Sequence, residues 1–519
     1  MQKSLRMNRR DFLGSAALCS IAAAAPNRIT AQGANQMATQ EGTNTLADLG
    51  VGTIMRSFSA EDHRRRLENI AACESRIRKC GKKHLITNYI PGQVSYNIGE
   101  YPSRTPYNPD EYDEAELDRL HAGGIRLIQL MEDWNDLLRL FGGDKFTAVN
   151  PAGLRRFINM AHKRGMKVIL YASTGYMQEG DPDLREEWVR GGPGKRPVVK
   201  GNHWKLIRCS PASAGWRAYI LPRTLQVLDE YGADGLFNDW GYIPLYNNPL
   251  PPTQDEVLAF HENKDHDAAL EDMVSLIYSE VKRRGGIYKL HADRNNRPMF
   301  DAQLYDYLWV GEGVGSLDKT RQDTKYYPPY VVPCFDFRNG KVDNQDEMYL
   351  QTIPYMQFPL LLAGRPMTGE RGFIPGVEYM PEEKDKLRRE YHEVWDYYRA
   401  HPNGPFVYGP WDAFPPNPNA RATHAHWLAH YLPLVQEGTW AYIDIGDSDL
   451  FVNPLQPNVV ASTFANLETY LVLANYGTEE ATIETADTYL SANESANISS
   501  KVWKLKGRSL VILRRQRPL

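Results

Sequence analysis

Residues 231–239 read Tyr231-Gly232-Ala233-Asp234-Gly235-Leu236-Phe237-Asn238-Asp239, and this nonapeptide decides the fold. A helical stretch (212–231) stops at a glycine, a short apolar strand follows (235–238), and an acid stands where that strand runs out. Outward from it, the alternation of apolar strand and polar-faced helix makes eight strand–helix units. The candidate strands are 84–89, 125–131, 167–171, 235–238, 287–291, 307–310, 330–335 and 358–362. Candidate helices lie near 112–122, 151–164, 212–231, 266–284, 296–304, 344–353 and 382–399, with a weakly helical sixth crossover at 318–326 and a leading helix over 60–80. Strands that alternate with helices of this length build a parallel sheet. Eight such units in about 320 residues predict an α/β fold, a (β/α)8 TIM barrel with long loops. A doubly wound open sheet is the rival, but Asn88-Tyr89-Ile90-Pro91-Gly92 after the first strand lacks the glycine-rich phosphate loop that fold uses.

A Pro-, Gly- and aromatic-rich stretch, 402–418, marks a boundary. Beyond it the helical period is lost, and short strands are expected at 432–435, 440–445, 459–465, 470–475, 481–485, 501–505 and 509–513. Gly477, Asn493 and Gly507 supply the turns between them. This tail predicts a C-terminal antiparallel β-sandwich domain. At the other end, residues 7–25 read MNRRDFLGSAALCSIAAAA, and Arg9-Arg10-Asp11-Phe12-Leu13 before a short Ala-rich run resembles a twin-arginine export signal. The expected division is therefore a signal at 1–25, a linker at 26–59, the barrel with its leading helix at 60–401, and a linker with the β-domain at 402–519. Such a signal implies a periplasmic or extracellular address. Nothing in the chain approaches the ~18 uninterrupted apolar residues of a membrane span, so no stable span is expected.

With 60 Lys+Arg against 64 Asp+Glu the net charge is −4, and the concentrated positive field that grips a nucleic-acid backbone is missing. Nucleic acid is therefore not an expected partner. Aromatic residues are abundant instead, with 11 Trp and 30 Tyr, and aromatic faces suit flat hydroxylated ligands. The five cysteines are Cys19, Cys73, Cys80, Cys209 and Cys334. On one helix Cys73 and Cys80 stand about 10 Å apart, too far for a disulfide. No C-x-x-C pair offers a zinc site.

In a barrel the reactive groups gather where strands pass into the following loops. Those positions hold Glu132-Asp133-Trp134, Asn238-Asp239-Trp240, His291-Ala292-Asp293, Trp309 with Gly311-Glu312-Gly313, and Asp336 with Arg338. Carboxylates flanked by aromatics are poor for an anion and well suited to protonating and displacing an acetal oxygen. Cleaving a glycosidic bond takes two carboxyl groups across it. Asp239 is expected as nucleophile, because it follows an apolar run where packing needs no charge. Glu312 is expected as acid/base, with flanking glycines that permit close approach and Trp309 nearby to exclude water. Glu132, Asp133, Trp134, Trp240, His291, Asp293, Trp309 and Asp336 complete the expected sugar-binding set, although each also has a packing or ion-pair reading, Asp336 with Arg338 above all. No cofactor is expected, and the expected partner is a carbohydrate.

The nonapeptide resembles the fourth-strand signature of barrel glycosidases in the α-galactosidase-like clan. The resemblance implies a nucleophilic Asp ending strand four and an acid/base after strand six, which Asp239 and, by position, Glu312 match. The clan's usual acid/base is an Asp in another local motif, and Phe237 replaces its Lys two residues before the nucleophile. Two other chemistries remain open. His291-x-Asp293 with Asp239 could hold a divalent ion, and a barrel that binds sugar without cleaving it would keep the aromatics. His424, His426 and His430 form a conspicuous cluster for which a domain-interface role is expected. No G-x-S-x-G supports a serine nucleophile.

Overall fold

The computed structural model describes residues 58–99, 106–190, 198–200, 205–239, 266–292, 297–311, 316–327, 330–333, 341–342, 344–365, 381–382, 400–401, 406–407, 420–493 and 498–516. In chain order these form α1 (Ala60–Glu74), β1 (Ile77–Leu85), β2 (Gln93–Asn97), α2 (Glu111–Ala122), β3 (Leu127–Leu130), α3 (Pro151–His162), β4 (Lys167–Tyr171), β5 (Tyr176–Gln178), β6 (Val198–Lys200) and β7 (Lys205–Arg208). Then come α4 (Ala214–Tyr231), β8 (Gly235–Asn238), α5 (His266–Arg283), β9 (Ile287–His291), β10 (Tyr307–Val310), α6 (Leu317–Thr324), β11 (Val331–Pro333), β12 (Lys341–Val342), α7 (Glu347–Thr352), β13 (Leu361–Gly364), β14 (Phe406–Val407) and α8 (Ala420–Tyr431). The last six strands are β15 (Trp440–Ser448), β16 (Val459–Ala465), β17 (Thr469–Asn475), β18 (Ala481–Ser491), β19 (Ser499–Leu505) and β20 (Ser509–Arg515).

Eight parallel strands run in the order β11-β10-β9-β8-β4-β3-β2-β13. The last barrel strand pairs with the first, Leu361 opposite Val94 and Gly364 opposite Asn97. Across the remaining seam the Leu360 N–H donates to the Pro333 carbonyl at 2.9 Å. The ring is thus a (β/α)8 barrel, as the strand–helix alternation predicts.

The nonapeptide holds its place by local chemistry. Gly232 ends α4 in the left-handed conformation at φ 73°, which favours glycine. Asp234 clips the start of β4, accepting from the Val168 N–H at 2.8 Å and from Lys167 Nζ at 2.9 Å. Gly235 permits β8 and β9 to close up, since a Cβ there would lie 1.9 Å from the Ile287 carbonyl oxygen.

The first barrel strand is not at 84–89. Residues of β1 pair antiparallel with β15, Leu85 opposite Trp440, and so belong to the C-terminal sheet. The true first strand, Gln93–Asn97, is wholly buried yet carries Gln93, Ser95 and Asn97, so it lacks an apolar signature. The leading helix stops at Glu74, where Ser75 caps it, and Cys80 lies in β1; the two cysteines do not share a helix. Both are free thiols, as is Cys209. No helix forms among the described residues of 296–304, whereas the sixth crossover is a capped helix whose Lys319 N–H donates to the Ser316 hydroxyl at 3.1 Å. The helix expected at 382–399 lies almost wholly outside the described residues. A helix expected nowhere, α8, packs on the barrel: Arg421 Nη1 donates to Glu116 of α2 at 2.7 Å, and Trp427 to Asp346 at 2.7 Å. It ends in a turn at 432–435, where a strand was expected.

The other six tail strands form as expected. Together with β1 they make one antiparallel sheet, ordered β1-β15-β16-β17-β20-β18-β19, so the expected two layers are a single connected sheet. One face, with Ile443, Phe464, Val472 and Ile512, joins the barrel's core. The other, with Ile445, Leu471, Leu473, Trp503 and Leu513, buries Ile70 and Cys73 of α1. No helix of the described residues is long and apolar enough to cross a membrane.

Candidate active site

Side chains alternate along β8, so Phe237 and Asp239 point to the same side. Phe237 stacks on Trp309 (4.8 Å, 21°) and faces His291 at 6.5 Å, which sets that side as the barrel interior. Below this aromatic layer Lys289 Nζ donates to Gln93 Oε1 at 3.0 Å and sits 5.3 Å from the Trp309 ring centroid. Above it, at the rim, stands Asp239, half-buried, with its Oδ2 accepting from the Tyr171 hydroxyl at 2.8 Å. That hydrogen bond reaches across from the neighbouring strand β4 and favours the ionised carboxylate.

His291 ends β9 half-buried. Its Nδ1–H donates to the Ala292 carbonyl at 2.7 Å. Asn238 is fully buried beside Asp239, accepting from Thr174 Oγ1 at 2.9 Å and donating to the Tyr288 hydroxyl at 2.5 Å. The loop after β4, the end of β8 and the body of β9 are thereby tied together.

Three residues expected to touch a ligand are committed elsewhere. Asp133 is 2% exposed, and its Oδ2 accepts from the Ile98 and Gly99 N–H groups at 2.8 and 3.3 Å, bracing the chain as it leaves β2. Trp134 is 2% exposed, donates to the Tyr171 carbonyl at 3.1 Å and meets the Tyr231 ring edge-on at 5.7 Å. Trp309 is fully buried in the aromatic layer. Their ring faces and carboxylate are covered: Trp134 and Trp309 pack inside the fold, and Asp133 braces the chain after β2. Glu132, half-buried in the short 3-10 turn after β3, remains beside the rim. Trp240, Asp293, Glu312 and Asp336 lie outside the described residues.

Two rim residues had no sequence signal. Tyr171 reads as one more apolar residue of a strand. Lys145 lies deep in a loop, 13 positions after Glu132, and yet is 5% exposed. The loop folds back because Asn135 bridges Ala148, and the Asp136 N–H donates to the Thr147 carbonyl at 2.9 Å. This turns the Lys145 ammonium onto the Tyr176 carbonyl of β5, between the rings of Phe146 and Trp216. Burial pushes that ammonium down to about 8, while Cys209, Asp181, Asp239 and Asp144 pull it back up.

His424 is buried in the seam between α8 and the barrel, edge-on to Phe358 at 5.0 Å, with its Nε2–H donating to the Pro359 carbonyl at 3.1 Å. Burial holds it neutral, down to about 4. His426 and His430 pack against each other at 4.6 Å. Among the described residues no group of three His, Cys, Asp or Glu side chains is arranged to hold a metal ion.

No protein-family profile matches the chain, and no curated protein matches it. Solved structures do. A noncanonic maltogenic alpha-amylase from Thermotoga neapolitana is 12% identical, with a TM-score of 0.49 over 82% of this chain and 99% of that one. An isomaltulose synthase from Klebsiella is 11% identical, with a TM-score of 0.48 over 82% and 98%. The trehalulose synthase of Pseudomonas mesoacidophila is 11% identical, with a TM-score of 0.46 over 82% and 99%. None of the three is named as an α-galactosidase.

Proposed function

We propose that this protein is a glycoside hydrolase that cleaves an O-glycosidic bond with two carboxyl groups. The observation that carries the reading is Asp239. It is a half-buried carboxylate at the carboxyl end of a barrel strand, turned to the interior and held by the Tyr171 hydroxyl. Asp239 attacks the anomeric carbon, and Glu312 protonates the departing oxygen and then activates water. The supporting geometry is that of the strand ends: β8 and β10 flank β9. At about 4.8 Å per strand their ends stand roughly 10 Å apart, a gap that an Asp and a Glu of different lengths can narrow across one sugar. This is the retaining form. A carboxyl separation of about 6.5–9.5 Å would make Asp239 the base of an inverting enzyme.

The narrower likeness to the α-galactosidase-like clan rests on the nonapeptide, whose Gly232, Asp234 and Gly235 serve the fold. It supports strand four as the seat of the nucleophile and leaves the sugar open. Export through the twin-arginine route is part of the same proposal, resting on residues 7–25. The test is a panel of chromogenic glycosides and polysaccharides with the purified protein. Turnover that Asp239→Asn and Glu312→Gln each abolish, with sugar binding retained, supports the reading. Binding without turnover in the wild type would make it a sugar-binding barrel, and activity lost to a chelator and restored by a divalent ion would make it a metal enzyme.

A further inference from the structure

We propose that His426 and His430 form a chelating site for one divalent transition-metal ion (zinc, nickel or copper) on the exposed face of α8. The proposal is independent of the reading of Asp239. Two histidines four apart on a helix stand one above the other on one face, the spacing at which a pair of imidazoles takes a single ion. Here the two ring centres lie 4.6 Å apart, with the rings inclined at 68°. An ion about 2.1 Å from a nitrogen of each ring lies roughly 3.2 Å from each ring centre, and rings 4.6 Å apart then subtend roughly 90° at it. That angle fits neighbouring ligands of one ion, and imidazole suits zinc, nickel and copper. His426 is exposed and His430 half-buried, and the exposed neighbours Ala422 and Ala429 are small, which leaves room for an ion and its waters. Trp427 meets the His426 ring edge-on at 5.4 Å and supports it. His424 takes no part, because it lies on the buried face and is committed to the Pro359 carbonyl. Burial, and then the neighbouring His426, hold His430 below its ordinary value of 6.5, in the uncharged form that ligates at neutral pH. No third His, Cys, Asp or Glu of the described residues completes the set, so water takes the other positions and the ion exchanges.

The test is calorimetric titration of zinc chloride into the full, untagged chain, repeated with nickel chloride. The wild type should bind one ion. His426→Ala and His430→Ala should each weaken binding by at least about tenfold, the loss that removing even an orienting partner of a metal ligand brings. The pair is in register only while α8 is folded, so saturating zinc should also raise the melting temperature of the wild type and of neither variant. Binding weaker than about 1 mM would overturn the proposal. So would binding that both variants keep, which places the ion elsewhere on the chain. Should either variant fail to fold, diethyl pyrocarbonate labelling of the wild-type chain decides. Protection of both histidines by zinc supports the site, and unchanged labelling of either contradicts it.

Discussion

At the amino-terminal end of the barrel Tyr89 stacks on Tyr330 (4.2 Å, 15°), its hydroxyl lies 3.3 Å from that of Tyr431, and the Tyr307 hydroxyl accepts from the Ile90 N–H at 2.9 Å. All four rings are buried. At the carboxyl end Asp239, His291 and Glu132 are half-buried and reach water. Both ends are rich in aromatic and polar side chains, so composition does not tell them apart. The difference lies in what covers them. The tyrosine end is capped by the chain crossing from β1 to β2 and by Glu437, whose Oε2 accepts from the Asn88 N–H at 2.8 Å. The acid end has the Asp239 carboxylate at the edge of solvent, held by the Tyr171 hydroxyl. One end stores stability and the other is available for chemistry.

Substitutions at the two ends should therefore separate activity from folding. The largest effect is expected from Asp239→Asn: a loss of turnover of at least about 10³-fold, with an unchanged denaturation midpoint. Next, Tyr431→Ala should cost about 3–5 kcal/mol in denaturant unfolding, as for other large buried rings, with turnover per folded molecule unchanged. A loss of activity at Tyr431 without loss of stability would break the comparison.

The third prediction concerns pH. Burial pushes the Glu437 carboxyl up to about 7, against an ordinary value of 4.5, and its Oε1 has no hydrogen-bond partner among the described residues. A raised carboxyl binds its proton more tightly when folded, so its contribution is fully present below 4.5 and is lost as pH rises through about 7. Stability should fall by roughly 1–3 kcal/mol over that window, and Glu437→Gln should flatten the slope in chemical denaturation. The buried, neutral His424 works in the opposite sense, losing stability as pH falls from 6.5 through about 4. The smallest effect belongs to Tyr171→Phe, which removes one hydrogen bond to Asp239. About tenfold in kcat is expected, with stability within about 1 kcal/mol of wild type.

The parts of this molecule that could be read from sequence are those where burial on both sides of a strand writes a continuous apolar run. β4, β8 and β10 are of that kind and match their expected ranges; β9 matches too, although Lys289 interrupts its run. β2 was not, because the interior accepts Gln93, which meets Lys289, together with Ser95 and Asn97. The stretch 84–89, which begins at the end of β1 and runs past it, is more apolar and drew the assignment. α8 was missed because His424 sits on its buried face and a proline-rich stretch precedes it. The strand-end rule puts Asp239 and His291 at the carboxyl ends of β8 and β9, where they stand, because a strand end fixes where a side chain goes. The same rule overcalled Asp133 and Trp134, since it does not say whether a rim residue faces ligand or braces a loop. Lys145 was beyond its reach, being brought to the rim by loop hydrogen bonds that no local spacing encodes.

The most direct measurement is to treat the wild-type enzyme with a fluorinated, slow-deglycosylating analogue of its best substrate and map the labelled peptide by mass spectrometry. The account predicts one added glycosyl mass, carried by Asp239. A label on any other carboxylate, or full turnover by Asp239→Asn, would contradict it.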